Sequence, residues 1–278
     1  MFDSYKEEAA LAVQAVAEAA ALCSRIQNEL VLKALSKEDR SPVTVADFAS
    51  QAIVARRLME AFPGDPLVGE EDSCSLRQPE ERDRRGKVEK YVRRVFPEAS
   101  GEDVLDWIDH GAAEAADRFW TLDPIDGTKG FLRGQQYAVA LALIENGEVV
   151  LGALGMPNLN MHLEEEPGGS GSMIIAVRGE GSWLVDPADG SRTRLEASGR
   201  VQPDEVRVLR SYESGHTNVS QIDVFVDRMG ITHPPVRMDS QAKFAVLAGG
   251  KGELLLRLLS PARPGYVEKI WDQAAGSI

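Results

Sequence analysis

One stretch, WTLDPIDGTKGFLRG from Trp120 to Gly134, most constrains how this chain can fold. Its first residues predict a short buried strand. Pro124 fixes its own φ and has no N–H to donate, so we expect the strand to end there and the chain to turn. Gly127 permits a backbone conformation that other residues resist. The sequence therefore predicts a sharp turn at the end of a buried strand, with a helix opening at Thr128.

Two carboxylates lie on this turn, Asp123 and Asp126, three residues apart. A turn of this kind can direct both side chains, and the Ile125 carbonyl between them, to one point. Such hard oxygen ligands suit Mg²⁺ or Ca²⁺ rather than zinc. The alternative is an ordinary Asx-Pro turn whose acids are solvated. From these residues alone both interpretations stay open.

The overall charge argues against a nucleic-acid-binding surface. The formal net charge is -13, whereas contact with a phosphate backbone requires a basic surface. An acidic protein that handles phosphates needs divalent cations to offset the repulsion, which agrees with a metal site at the turn. With 278 residues, 43% hydrophobic and 27% charged, the chain has the composition of a soluble globular protein with one large domain or two modest ones.

Three features predict a cytoplasmic protein. The two cysteines, Cys23 and Cys74, offer no zinc spacing or disulfide framework, which favours a reducing compartment. We identify no apolar run of membrane-spanning length. The N-terminus contains Asp3, Glu7 and Glu8 and lacks the Arg-rich, acid-poor character of a transit peptide.

Helices dominate the predicted N-terminal part. Residues 3–35 are rich in Ala and Leu and predict a long helix with Asp3 or Ser4 as N-cap. The segment Thr44–Asp47 matches a capping box at the start of a second helix that ends before Pro63-Gly64. Asp47 therefore has a purely structural role available.

Strands and loops dominate the middle of the chain. A short apolar run at 67–69 leads into Glu70-Glu71-Asp72, which form either a solvated loop or a cation site. Residues 137–156 predict a hairpin around a type I′ turn at Asn146-Gly147. The Pro/Gly/Ser-rich segment 164–172 is the expected boundary between two halves. The predicted halves are 1–163 and 173–278.

The alternation of helices, strands and hairpins predicts a mixed α/β fold rather than a pure Rossmann sheet. Towards the C-terminus we expect a strand over 206–209, a helix over 219–228 and a short helix that Ser240 caps. Trp271-Asp272 is expected to open a last helical segment.

Four separated elements together closely resemble the lithium-sensitive, magnesium-dependent phosphatase superfamily that includes inositol monophosphatase. They are Asp47, Gly69-Glu70-Glu71, the DPIDGT run at 123–128 and the WDQAAG run at 271–276. Within that superfamily the chain looks most like the 3′(2′),5′-bisphosphate nucleotidases. The segments that carry this likeness are DPIDGTKGFLRG at 123–134, YAVALAL at 137–143, MPNL at 156–159, DSQAK at 239–243 and EKIWD at 268–272.

The resemblance implies a layered α-β-α-β-α sandwich of the inositol monophosphatase type. Members of that family normally continue well past the Trp-Asp segment, whereas this chain stops at Ile278. We therefore expect a truncated second half with an incomplete last layer.

The resemblance also implies a site with two or three Mg²⁺ ions and no covalent phospho-enzyme. Thr128, positioned by Asp47, would orient the attacking water and take its proton. The amides of Gly127 and Thr128 would contact the phosphate. The implied metal ligands are Glu70, Asp123, the Ile125 carbonyl, Asp126 and Asp272.

Nucleotide contacts are implied in the same way at His216, Ser240, Lys243 and Arg257, besides Gly127 and Thr128. Without the resemblance, Arg257 would be a strand-end residue that points to water. Lys243 would lie on the exposed face of a short helix, and His216 would be an ordinary loop residue.

The function that the resemblance implies is hydrolysis of the 3′-phosphate of 3′-phosphoadenosine 5′-phosphate to AMP. The sulfated nucleotide and inositol 1,4-bisphosphate would be additional substrates, with inhibition by Li⁺ and Na⁺ and a role in sulfur assimilation or salt tolerance. The expected protein is a monomer that acts on a small-molecule nucleotide, with no nucleic-acid or membrane partner. The alternatives are an inositol monophosphatase-type phosphatase and a truncated, non-catalytic nucleotide- or metal-binding remnant.

Overall fold

A computed structural model of the chain describes residues 2–31, 41–212, 219–258, 265 and 267–278. The α-helices are α1 (Lys6–Ile26), α2 (Ser41–Ala61), α3 (Arg82–Val92), α4 (Gly101–Asp109), α5 (Thr128–Leu132), α6 (Val219–Met229) and α7 (Ala242–Ala248). The strands are β1 (Leu67–Gly69), β2 (Arg118–Asp126), β3 (Ala138–Glu145), β4 (Glu148–Met156), β5 (Ser172–Val177), β6 (Gly181–Val185), β7 (Arg192–Arg194), β8 (Val208–Arg210), β9 (Val236–Arg237) and β10 (Leu254–Leu255).

The strands form two sheets. The first has the order β1-β2-β3-β4-β5-β6-β7, in which β1 is parallel to β2 and all later neighbours are antiparallel. The second has the order β10-β8-β9 and is parallel throughout. This arrangement of a large mixed sheet, a smaller parallel sheet and helices confirms the predicted mixed α/β fold.

Each face of the large sheet is covered. On one face α1 and α2 pack together and bury a core that includes Trp120, Leu122 and Leu141. On the other face a second core includes Phe119 and Ala140 and joins the sheet to α7 and to the short 3₁₀ helix Ala274–Gly276 near the C-terminus. Because the C-terminal segment packs on the large sheet, the last acid of the chain can approach the β1–β2 edge.

Two predicted helix starts are wrong. The chain enters α1 through Tyr5 in a left-handed conformation with φ 51°, and Asp3 and Ser4 instead donate their amides to the Glu180 carboxylate at 2.6 and 2.9 Å. Helix α2 begins at Ser41, so Thr44–Asp47 lies inside the helix rather than at its cap. The signal that identifies this start is the Ser-Pro pair, since Pro is favoured in the first turn of a helix.

The predicted end of β2 is also wrong. The strand continues through Pro124 to Asp126, with a bulge in its pairing with β3. Asp123 pairs with Ala140 and Asp126 with Ala138, so three steps along β2 match two along β3. The missing N–H of proline is tolerated because a bulged residue need not donate to the ladder.

The hairpin prediction is confirmed. Strands β3 and β4 meet at Asn146 and Gly147, whose φ values of 51° and 79° are both positive, as a type I′ turn requires. The segment 164–172 covers the second part of the connection from β4 to β5 and the first residue of β5, and these two strands pair within the same sheet. The division of the chain into halves at this segment stays a prediction.

Helix α1 tests the expectation that no apolar run is long enough to span a membrane. Over Lys6–Glu29 the helical segment is long and apolar enough to cross a membrane, so the statement that no run reaches that length is wrong. Half of this segment is buried in the fold, and α1 packs against α2, β3 and β4. A buried core helix meets the same criteria of length and composition as a membrane span.

Candidate active site

The carboxyl ends of β1 and β2 bring two acids together. In the parallel pairing of these strands Gly69 lies opposite Leu122, so Glu70, the first residue after β1, lies beside Asp123, which is still within β2. A hydrogen bond joins their side chains. Two acids that are 53 positions apart along the chain are thereby placed at one edge of the sheet.

The bulge in β2 then aligns the second acid of the turn with the first. Phe119 belongs to the second core, so alternation along the strand directs Asp123 towards that side of the sheet. The extra residue of the bulge returns Asp126 to the same side, while the Ile125 side chain packs into the first core. Both acids therefore face α7 and the C-terminal segment.

Burial gives this cluster unusual electrostatics. Asp47 and Asp123 are 7% and 3% exposed, and burial together with neighbouring carboxylates raises the pKa of each well above its usual value. Burial, and then the charges of Glu71, Asp272 and Asp126, raises the pKa of Glu70 to about 7. A cation beside these acids would favour their ionised forms.

Asp126 is the acid of this cluster that lies near positively charged side chains. Burial raises its pKa, while the nearby Lys243 ammonium and a hydrogen bond from the Gln241 amide, at 2.5 Å to Oδ2, act in the opposite direction. Asp272 and Arg257 also act on the Asp126 carboxylate through their charges. Asp123 is in turn affected by the charges of Asp47, Glu70, Asp126 and Asp272, so acids from four distant segments lie near one another.

The chemistry of these groups fits Mg²⁺. The donors are oxygen atoms, and Oδ1 of Asp123 is buried and has no hydrogen-bond partner among the described residues. Within the described ranges no group of three or more His, Cys, Asp and Glu side chains is arranged so that it could hold a metal ion by itself. Mg²⁺ does not require such a group, because it usually binds one or two carboxylates, several waters and substrate phosphates.

Thr128 opens α5 directly after the acids. Its preceding residue Gly127 has a φ of 92°, as expected from the sequence. The Thr128 hydroxyl donates to the Ile125 carbonyl at 3.5 Å. Among the described residues no hydrogen bond joins it to Asp47, so the pairing of these two side chains stays a prediction.

The residues predicted to contact the nucleotide differ in their exposure to solvent. Lys243 is 3% exposed, so the interpretation as a surface lysine is wrong, and its Nζ donates to the Ser240 carbonyl at 2.6 Å. Burial lowers the pKa of Lys243 to about 8 despite the nearby Asp126. Arg257 is exposed and binds Glu268, with Nε to Oε1 at 2.8 Å.

Ser240 lies before α7 and accepts a hydrogen bond from the Ala242 amide at 3.1 Å. The N-cap of α7 is Gln241, with no side-chain capping hydrogen bond, so the predicted capping role of Ser240 is wrong. His216 lies outside the described residues. The structure therefore brings Ser240, Lys243 and Arg257 to the side of the sheet that Asp126 faces.

Two glutamines that sequence reasoning missed hold the acidic segments. From α2, the Gln51 side-chain amide donates to the carbonyl of Glu71 at 2.5 Å and accepts from its N–H at 3.1 Å. Gln241 makes a similar two-ended contact with the segment that contains Asp272. Neither residue belongs to a periodic pattern. For Gln51 the available signal is the glycine at position 69, where a Cβ atom would lie 2.5 Å from the Gln51 Oε1.

Comparison with known proteins identifies the family. Residues 4–278 match the Inositol monophosphatase family. The chain belongs to this family. Among curated relatives, the family member "3′(2′),5′-bisphosphate nucleotidase" of Schizosaccharomyces pombe is 39% identical over 295 residues, with 99% of this chain and 82% of the relative covered. "3′(2′),5′-bisphosphate nucleotidase 1" of Arabidopsis thaliana is also 39% identical, with 99% and 83% covered.

Solved structures of the inositol monophosphatase family share the fold. SuhB of Mycobacterium tuberculosis aligns with a TM-score of 0.62 at 22% identity, over 99% of this chain and 83% of that one. CysQ of Bacteroides thetaiotaomicron aligns with a TM-score of 0.61 at 17% identity, over 98% and 85%. At these identities the structural similarity establishes the fold and no more.

Proposed function

We propose that this protein is a Mg²⁺-dependent phosphatase that hydrolyses the 3′-phosphate of 3′-phosphoadenosine 5′-phosphate to give AMP and phosphate. The observation that carries the proposal is that Glu70, Asp123, Asp126 and Asp272 lie close enough to act on one another through their charges, with the buried Lys243 ammonium near Asp126. The substrate is proposed from the relatives at 39% identity, which are named as bisphosphate nucleotidases.

Each residue of the cluster has a role in this proposal. Glu70, Asp123, Asp126, Asp272 and the Ile125 carbonyl would hold two or three Mg²⁺ ions. Bound Mg²⁺ would offset the phosphate charge and make a water molecule more acidic. Thr128 and Asp47 would orient that water and accept its proton, and the Gly127 and Thr128 amides would contact the phosphate.

Lys243 and Arg257, with Ser240 and His216, would hold the rest of the nucleotide. Two cations suit a substrate that carries a second phosphate, since a charged hydrogen bond to phosphate is stronger than a neutral one. The protein would act as a cytoplasmic monomer on this small molecule.

The direct test is phosphate release from 3′-phosphoadenosine 5′-phosphate with Mg²⁺ and with excess EDTA. We expect turnover only with the metal. A folded protein that releases no phosphate from this nucleotide would contradict the proposal.

Asp126→Asn tests the role of Asp126 in metal binding, because it keeps the shape of the side chain and removes the charge. Phosphate release should fall by at least about 100-fold, since even outer partners of metal ligands cost 10–100-fold when removed. Its melting temperature in EDTA should not fall, because one repelling charge is lost and the Gln241 amide keeps an acceptor.

An inositol monophosphatase activity is the second candidate, favoured by the family to which the chain belongs. Comparing kcat/KM for inositol 1-phosphate and for 3′-phosphoadenosine 5′-phosphate separates the two. The nucleotidase proposal requires the higher value for the nucleotide.

A further inference from the structure

Gln241 lies between two of the acidic segments. It is 2% exposed and occupies the turn that leads into α7. Its backbone N–H donates to Oδ2 of Asp126 at 2.5 Å. Its side chain reaches the other way, where Nε2 donates to the Trp271 carbonyl at 2.9 Å and Oε1 accepts from the Gly276 amide at 3.0 Å. One residue therefore contacts the β2 bulge and both ends of the segment that contains Asp272.

These contacts leave Gln241 little freedom to move. The preceding residue, Ser240, has a φ of 67° and packs against the turn, since a Cβ atom built on Gly127 would lie 2.9 Å from the Ser240 Cβ. Both ends of the Gln241 amide are used, so a rotation of the side chain would break two hydrogen bonds in a buried place. Besides the packing of residues 274–276 on the large sheet, Gln241 thus links Asp126 directly to the segment 271–276.

We propose that Gln241 is a positioning residue that sets Asp272 against Asp126 for Mg²⁺ binding. This inference rests on the proposed function in one respect, namely that these two acids bind Mg²⁺. It adds a residue that touches neither the metal nor the nucleotide. A purely structural role, in which Gln241 only fastens the C-terminal turn, would lower stability without changing the affinity for the metal.

The test compares one substitution at two buried glutamines. Gln241→Met keeps the length of the side chain and removes both hydrogen bonds. Gln27→Met is the control, because Gln27 is 4% exposed and also uses both amide ends, donating to the Phe131 carbonyl at 2.8 Å and accepting from Asn158 at 3.0 Å. Isothermal titration calorimetry with MgCl₂, without nucleotide, gives the Mg²⁺ dissociation constant of each purified full-length chain.

We expect Gln241→Met to raise the Mg²⁺ dissociation constant by about 10–100-fold, the usual effect of losing an outer partner of a metal ligand. The Mg²⁺ concentration for half-maximal phosphate release should rise by the same factor. Gln27→Met should lower the melting temperature in EDTA to a similar degree while its Mg²⁺ dissociation constant stays within about twofold of the wild type.

A milder variant covers the case in which Gln241→Met does not fold. Gln241→Asn keeps the amide and withdraws it by one methylene, so we expect a smaller rise in the dissociation constant. Mg²⁺ affinity equal to the wild type in the folded variant would overturn the inference, as would equal shifts at Gln241 and Gln27. Because calorimetry uses no nucleotide, a wild type that binds Mg²⁺ but releases no phosphate would defeat the proposed function alone.

Discussion

Gly127 meets two separate physical demands at one position. Its φ of 92° lies in the region that L-residues avoid, and its α-hydrogen faces the Ser240 side chain. The first demand is a property of the turn, and the second belongs to the contact between β2 and the residues before α7. The two can be separated by comparison with Gly147, whose φ of 79° is similar but whose surroundings are open.

We predict that Gly127→Ala costs more stability than Gly147→Ala. The positive φ alone costs roughly 1–2 kcal/mol in either variant. At Gly127 the added methyl also meets Ser240 Cβ at 2.9 Å, which should cost about 1–3 kcal/mol more. Urea unfolding measures the free energy of unfolding of both variants. Equal losses in the two would show that the turn tolerates a closer contact with Ser240.

Lys243 offers a second test at the level of one residue. Under the proposed function its ammonium contacts the nucleotide, and a hydrogen bond to a charged group contributes roughly 1.5–3 kcal/mol. Lys243→Met should therefore raise KM for the nucleotide by about 10–100-fold. The exposed Lys251→Met is the control, with KM expected to stay within about twofold of the wild type. An unchanged KM in Lys243→Met would remove this residue from the binding site.

At the level of elements, the site depends on how closely α2 approaches the edge of the large sheet. Gln51 reaches from α2 to the Glu71 backbone and also donates to the Ile108 carbonyl at 2.8 Å, at the end of α4. A Cβ atom on Gly111 would lie 2.3 Å from its Nε2. The small residue after α4 thus lets one side chain join α2, α4 and the loop that follows β1.

We predict that Gly111→Ala displaces Gln51 and lowers both stability and Mg²⁺ affinity. The loss of stability should be about 2–4 kcal/mol, since overpacking adds to the cost of the unpaired Glu71 backbone. Gly64→Ala is the control, because no atom lies within 4 Å of a Cβ there. The double variant Gly111→Ala with Gln51→Ala should recover part of the overpacking cost, and no recovery would mean that the methyl clashes elsewhere.

Elements were predictable where the pattern is local. The β3–β4 hairpin follows from alternation and Asn146-Gly147, which act over a few residues. The course of β2 through Pro124 was not predictable, because a bulge depends on the partner strand. The start of α2 has a local signal in Ser41-Pro42, but the match to a capping box at Thr44–Asp47 suggests a later start. Asp123 and Asp126 could be singled out from their spacing. The approach of Glu70 and Asp272 required either the resemblance to the family or the folded chain, and Gln51 and Gln241 gave no sequence signal of their own.

At the level of the whole molecule, the two sheets differ in what stabilises them. The large sheet is covered on both faces by hydrophobic cores, whereas the small sheet adds an ionic contact at its edge to its packing in the second core. Glu253 accepts from the Arg207 amide at 2.7 Å and from the Arg207 side chain at 2.6 Å, which joins β8 to β10. Burial would raise the pKa of Glu253, but hydrogen bonds from Arg207, Ser198 and Arg200 outweigh it and lower the pKa to about 2.

We predict that this contact makes the fold sensitive to acid. A lowered pKa means that the contribution of Glu253 is complete above its ordinary value of 4.5 and is lost as pH falls from 4.5 towards 2. Glu253→Gln should lower the free energy of unfolding by about 1–2 kcal/mol at pH 7 and by progressively less below pH 4.5. Urea unfolding of wild type and variant across this range tests it, with the exposed Glu148→Gln as control; a difference independent of pH would contradict the assignment.

The bulge in β2 also bears on which changes the chain can accept. Because side chains alternate along a strand, the number of residues between Asp123 and Asp126 decides whether both acids share a face. Deleting either Pro124 or Ile125 would remove the bulge and restore a regular ladder. It would also shift the residues that follow by one position relative to Asp123. Substitutions in this spacer can be absorbed by local packing, whereas a change in its length cannot. We therefore expect that the two acids and the number of residues between them can change only together.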